Sequence, residues 1–99
     1  MTVHDLTGFQ RDLLFVIAGL DEPNGQEIGA ELEGSQDREV LHGRLYGNLD
    51  ALVEEGLIRK GERDGRTNRY TTTEAGEAAI AERYEWQAEY VRPALLARS

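Results

Sequence analysis

Six residues between positions 42 and 48 carry the most informative chemistry in the chain: His42, Gly43, Arg44, Tyr46, Gly47 and Asn48. An imidazole, a guanidinium, a phenol and a carboxamide within two helical turns supply donors and acceptors suited to base edges or phosphate oxygens. Gly43 and Gly47 stand one turn apart, and each costs a helix about 1 kcal/mol relative to Ala. Two such losses together indicate that something bulky approaches the backbone on that side. A second basic set follows, since five of the eleven basic residues fall between Arg59 and Arg69. Within it, Arg63, Arg66, Thr67, Asn68 and Arg69 place donors around an Asp64-Gly65 turn signal. This is the chemistry of contact, not of bond breaking. The chain has no cysteine, which excludes disulfides, thiolate nucleophiles and cysteine-ligated zinc. Its two histidines, His4 and His42, lie far apart with no ligand cluster beside them. No nucleophile–base pair or phosphate loop is found, so an enzyme ranks last and neither cofactor nor metal is expected.

The charge balance bears on the partner. There are 19 acidic and 11 basic residues, a net charge of −8, and Lys60 is the single lysine. An acidic surface almost without lysine is expected of a protein working in concentrated salt, where high net charge is tolerated. An acidic total would ordinarily disfavour nucleic acid. In about 1 M salt, however, the Debye length is only about 3 Å, so net charge hardly acts at a distance.

The elements that must position these residues read off the apolar spacing. The 99 residues suit one domain. Thr7 and Gln10 form a capping box for a helix carrying Phe9, Leu13, Leu14, Val16, Ile17 and Leu20. Asn24 and Glu27 form a second, opening a short helix to about Leu32, followed by a polar turn at Gly34-Ser35-Gln36-Asp37. Leu41, Leu45, Leu49 and Leu52 then fall on one side of a third helix, which Gly56 stops. Two extended arms around Asp64-Gly65 predict a β-hairpin, with a register that two- and three-residue loops leave open. Thr73 is the predicted cap of a last helix running through Ile80, Tyr84, Trp86, Tyr90 and Val91 toward Pro93. No apolar run is long enough to span a membrane, and the start MTVHDLTG lacks a signal-peptide pattern. A cytoplasmic, nucleoid-associated chain is expected.

Helix, short helix, leucine-backed helix and basic hairpin form the order of a winged helix-turn-helix. The predicted class is therefore mainly α with a small β-hairpin and a long C-terminal helix. Residues 1–73 would form the DNA-binding part and residues 74–99 the dimerisation helix and tail of one structural unit. The motifs Gly43-Arg44-Leu45-Tyr46, Asn48-Leu49-Asp50, Leu52-Val53-Glu54-Glu55-Gly56-Leu57, Arg66-Thr67-Asn68 and Thr73-Glu74-Ala75-Gly76 resemble PadR-type transcriptional regulators, in particular their haloarchaeal branch. Gly25-Gln26-Glu27-Ile28 resembles that family's second helix. The resemblance runs from about Leu6 to Val91, departing where Gly47 replaces the proline that usually follows the tyrosine. It implies a homodimeric winged-helix DNA binder whose C-terminal helix makes much of the dimer contact. The expected function is a transcriptional regulator that binds a pseudo-palindromic double-stranded DNA site and represses by occluding a promoter.

On that reading His42, Gly43, Arg44, Tyr46, Gly47 and Asn48 meet DNA from the third helix, and Arg63, Arg66, Thr67, Asn68 and Arg69 from the wing. Ile80, Tyr84, Trp86, Gln87, Tyr90 and Val91 would meet the second copy. Each has a plainer alternative. Tyr46 would cover the core edge, Arg44 would be a solvated arginine, and Asn48 would bond within the fold. Trp86 and Tyr90 would be domain core. Glu62 and Asp64, interleaved with the wing arginines, either pair with them or hold inorganic cations that bridge to phosphate. The rival function is a winged helix that binds another protein and not DNA.

Overall fold

The computed structural model describes residues 2–62 and 67–97. Thr7 caps helix α1 (Gly8–Gly19), its hydroxyl accepting from the Gln10 amide at 3.1 Å while the Gln10 side chain accepts from the Thr7 amide. Asn24 and Glu27 exchange the same pair of bonds at the start of helix α2 (Gly25–Gln36). This helix is longer than its apolar residues predict. Gly34, Ser35 and Gln36 belong to its last turn, and Asp37 ends it in the left-handed region at φ 52°. Turn-forming composition was outweighed there by a helix already propagating, to which each further residue adds a hydrogen bond at little cost.

Helix α3 (His42–Glu54) buries Leu45, Leu49 and Leu52. Gly56 follows it with φ +75°, the conformation for which glycine was expected. Leu41 departs from expectation. It is the N-cap residue, 63% exposed, and does not share the buried face. A cap residue has extended backbone, so helical periodicity does not govern where its side chain points. The three leucines pack with Leu13, Leu14 and Ile17 of α1 and with Ile28 and Leu32 of α2 in one core.

Strands β1 (Ile58–Glu62) and β2 (Asn68–Thr72) pair antiparallel, with Ile58 opposite Thr72 and Lys60 opposite Tyr70. This settles the register the sequence left open. The Asp64-Gly65 turn signal, with Arg63 and Arg66, lies outside the described residues. Ile58 and Tyr70 share the inner face of the ribbon and are buried in the core. The root of the wing is anchored twice more: the Tyr70 amide donates to the Pro23 carbonyl at 2.9 Å, and the Thr73 amide to the Leu57 carbonyl at 3.1 Å.

Thr73 caps helix α4 (Glu74–Ala88), accepting from the Gly76 amide. The helix stops short of Pro93, so Tyr90 and Val91 sit beyond its end, before a short helix α5 (Pro93–Leu96). Residues preceding proline are driven toward extended backbone, and Arg92 has ψ 146°. Among the described residues no helix is long and apolar enough to cross a membrane.

Leu49 is fully buried whereas Leu41 is not. Leu49→Ala should therefore lower unfolding stability by about 2–5 kcal/mol. Leu41→Ala should stay within about 0.5 kcal/mol of the parent. Urea denaturation of the two variants checks both.

Candidate nucleic-acid interface

With the leucines turned inward, α3 shows the opposite side to solvent. His42, Gly43, Gly47 and Asp50 are exposed there, and Tyr46 is half-buried. A methyl group added at Gly43 or Gly47 would meet no atom of the fold within 4 Å. The two glycines therefore serve no internal packing. They leave the backbone of α3 open from outside, as an approaching partner requires.

Tyr46 takes the core-edge position of its plainer reading. Its ring packs against the core edge and stands 4.5 Å, centroid to centroid, from the ring of His42. Its hydroxyl lies over Gly25 so closely that a Cβ at that position would collide with it. Gly25 is thus required for Tyr46 to cross the first turn of α2. Together with Asn24, Gln26, Thr67, Asn68 and Tyr70 it lines a cleft of about 330 Å³ between α2, α3 and the wing. Arg44 stacks its guanidinium 4.0 Å from the centroid of Phe9. Stacking occupies the flat face of the group and leaves its N–H edge free to donate.

Asn48 is placed differently. Its side-chain oxygen accepts from Gln10 at 3.0 Å, and its amide donates to the Arg44 carbonyl at 2.8 Å. Gln10 uses its other end to cap α1. One carboxamide pair therefore couples the start of α1 to the middle of α3, and the intramolecular reading of Asn48 describes its position here.

Arg69 likewise turns inward. Its guanidinium donates to Glu27 at 2.8 Å and to the Glu22 carbonyl at 3.3 Å, with the side chain mostly covered. Extended pairing between Asn24 and Arg69 brings it there. It ties the wing to the α1–α2 corner and is not a projecting wing-tip donor. Thr67 and Asn68 stay at the cleft. Arg63 and Arg66 lie outside the described residues.

Sequence reasoning passed over four residues at this surface. Gln26 follows the Asn24 cap and opens onto the cleft. Asp50 is seven residues beyond Gly43 on the exposed face of α3, a spacing that would have found it. Lys60 of β1 reaches Asp50 at 3.9 Å. Arg59, on the opposite face of the ribbon, is exposed.

At the far end of the molecule, Ile80 packs half-buried against the core. Tyr84, Trp86, Gln87, Tyr90 and Val91 are exposed. The core reading of Trp86 and Tyr90 does not hold, since they are 43% and 66% exposed. Trp86 contacts Tyr90 and His4 at ring separations of 5.3 and 5.6 Å, and Arg83 lies 4.5 Å over its ring. Among the described residues no group of three or more potential metal ligands gathers anywhere.

Three helices, a leucine-backed third helix with an open outer face and a ribbon beside it define a winged helix-turn-helix of the DNA-binding class. The chain belongs to the transcriptional regulator PadR-like family, whose model matches residues 13–82. Members of this family are DNA-binding transcriptional regulators and not enzymes. RosR of H. salinarum is 41% identical, over 97% of this chain and 88% of that one, with a TM-score of 0.85. A second RosR structure, the complex RosR-S1, is 44% identical over 89% of this chain and 78% of that one, with a TM-score of 0.83. PadR of Bacillus subtilis, solved in complex with operator DNA, shares the fold at 22% identity. It covers 77% of this chain and 46% of that one, with a TM-score of 0.62. No curated protein matches the sequence.

Burial pushes the Tyr70 phenol above its ordinary pKa, and the nearby Tyr46 and Asp50 push in the same direction. The neutral form is the one the fold favours, so this contribution is complete below pH about 10, the unfolded value. It is lost as pH rises through the higher folded value. Tyr70→Phe should be close to the parent at about pH 8 and gain on it steadily above about pH 10, measured by urea denaturation across that range.

Proposed function

We propose that the protein is a homodimeric repressor that places α3 of each copy in successive major grooves of a pseudo-palindromic duplex and so occludes a promoter. The observation that carries this is the two-sidedness of α3. Leu45, Leu49 and Leu52 are buried on one side, while Gly43 and Gly47 stand open on the other. His42, Arg44 and Tyr46 flank the opening as base or phosphate contacts, and Thr67 and Asn68 with Arg63 and Arg66 serve adjacent backbone. Asn48 and Arg69 act as struts that hold α3 and the wing. The complex of Bacillus subtilis PadR with operator DNA supports this mode of action. The apolar residues Tyr84, Trp86, Tyr90 and Val91, with Gln87 among them, form the face for the second copy, since an exposed cluster of this kind marks an interface.

The protein acts in a high-salt cytoplasm, which its charge of −8 and single lysine fit. Ordinary counterion release would abolish binding in molar salt. Inorganic cations held between carboxylates such as Glu62 and Asp64 and the phosphates would reverse that penalty.

Gly47→Leu should raise stability by up to about 1 kcal/mol through helix propensity. The same change should sharply weaken binding to the protein's own promoter DNA, because the leucine fills the approach to α3. Undiminished binding in fluorescence anisotropy would remove α3 from the interface. The parent's affinity should fall little, or rise, between low and molar KCl, and a steep loss would contradict the cation-bridged interface. Trp86→Asp should sediment as a monomer in ultracentrifugation where the parent sediments as a dimer.

A further inference from the structure

Helix α3 is entered through Leu41, its N-cap residue, whose backbone is extended. Leu45, Leu49 and Leu52 are covered, but Leu41, one turn before Leu45, is 63% exposed. Val40 beside it packs against the core, and its amide donates to Glu33 at 2.9 Å. The chain therefore packs position 40 partly against the core and leaves position 41 outside. Among the described residues, Leu41 is the sole large exposed hydrophobic before Tyr84. It makes no side-chain cap, although Ser, Thr, Asp or Asn would have stabilised the helix there by about 1 kcal/mol. Helices α1 and α2 carry that cap in the same chain, through Thr7 and Asn24. At α3 the cap position holds a side chain that makes no capping bond and stands mostly exposed.

The place of Leu41 gives it a use. The N-terminal residues of a recognition helix are those that reach base edges in the major groove. The one apolar group displayed there is the 5-methyl of thymine, which aliphatic side chains read by contact. We infer that Leu41 is a specificity-determining residue that packs on a thymine methyl in each half-site, a role that rests on α3 occupying the major groove. Next to it, His42 is exposed with its ring against Tyr46, and Gly43 stands in open space, so the isobutyl group leads the helix into the groove.

The test uses a duplex that the parent selects from a library with a random core. Each thymine of that duplex is replaced in turn by deoxyuridine, which removes only the methyl and keeps pairing. Dissociation constants are measured for the parent, Leu41→Ala and Leu41→Met. One replacement in each half-site should weaken the parent about four-fold, the factor for one methyl group removed from water. Leu41→Ala should bind the thymine duplex more weakly and be indifferent to that replacement, while Leu41→Met should remain sensitive. Equal sensitivity of Leu41→Ala and the parent would overturn the assignment, as would a parent indifferent to every replacement. Failure of the parent to select any duplex would overturn the groove reading itself, and this inference with it.

Discussion

Turning α3 by one residue about its axis would rotate its side chains by about 100° and lift Leu45, Leu49 and Leu52 away from α1 and α2. Each buried leucine contributes about 1.5–3 kcal/mol, so no such rotation is accessible to the folded chain. That single constraint settles which residues look outward. His42, Gly43, Gly47 and Asp50 are exposed because the ridge behind them is not. The helix could not present a defined set of donors without it. The open glycines, too, keep one outward position only because the helix cannot roll.

Polar residues at the edges hold the other parts to that helix. Gln10 spans the α1 cap and Asn48, so the first helix and the third share one hydrogen-bonded strut. Arg69 and the amide of Tyr70 fasten the wing to the α1–α2 corner through Glu27, Glu22 and Pro23. Tyr46 crosses from α3 to α2 over Gly25. The root of the wing, the second helix and the third helix are therefore joined around one cleft. The Arg69–Glu27 pair is only partly covered and is of modest energetic weight. Its larger consequence is geometric, because it keeps the ribbon beside α3 in place.

The same arrangement explains how an acidic protein can present a nucleic-acid surface. Several of its carboxylates are engaged internally: Glu27 caps α2 and pairs with Arg69, Asp50 pairs with Lys60, and Glu33 accepts from the Val40 amide. On α3 itself, Arg44 holds its guanidinium flat on Phe9.

Much of this was legible in the sequence, because the signals were local. Capping boxes at Thr7 and Asn24, the glycine stop at Gly56, the Thr73 cap and the two arms of the hairpin each involve residues within a few positions of one another. Periodicity placed Leu45, Leu49 and Leu52 inward for the same reason. The tertiary structure decided what depended on partners far along the chain. Arg69 looks like a wing donor until Glu27, forty-two residues earlier, takes it. Asn48 looks like a base reader until Gln10, thirty-eight residues earlier, does the same. Leu41 looks like core until Val40, one residue earlier, takes the place against it and leaves Leu41 63% exposed. A residue's type fixes the bonds it can make, and only the packed chain fixes which partner arrives first.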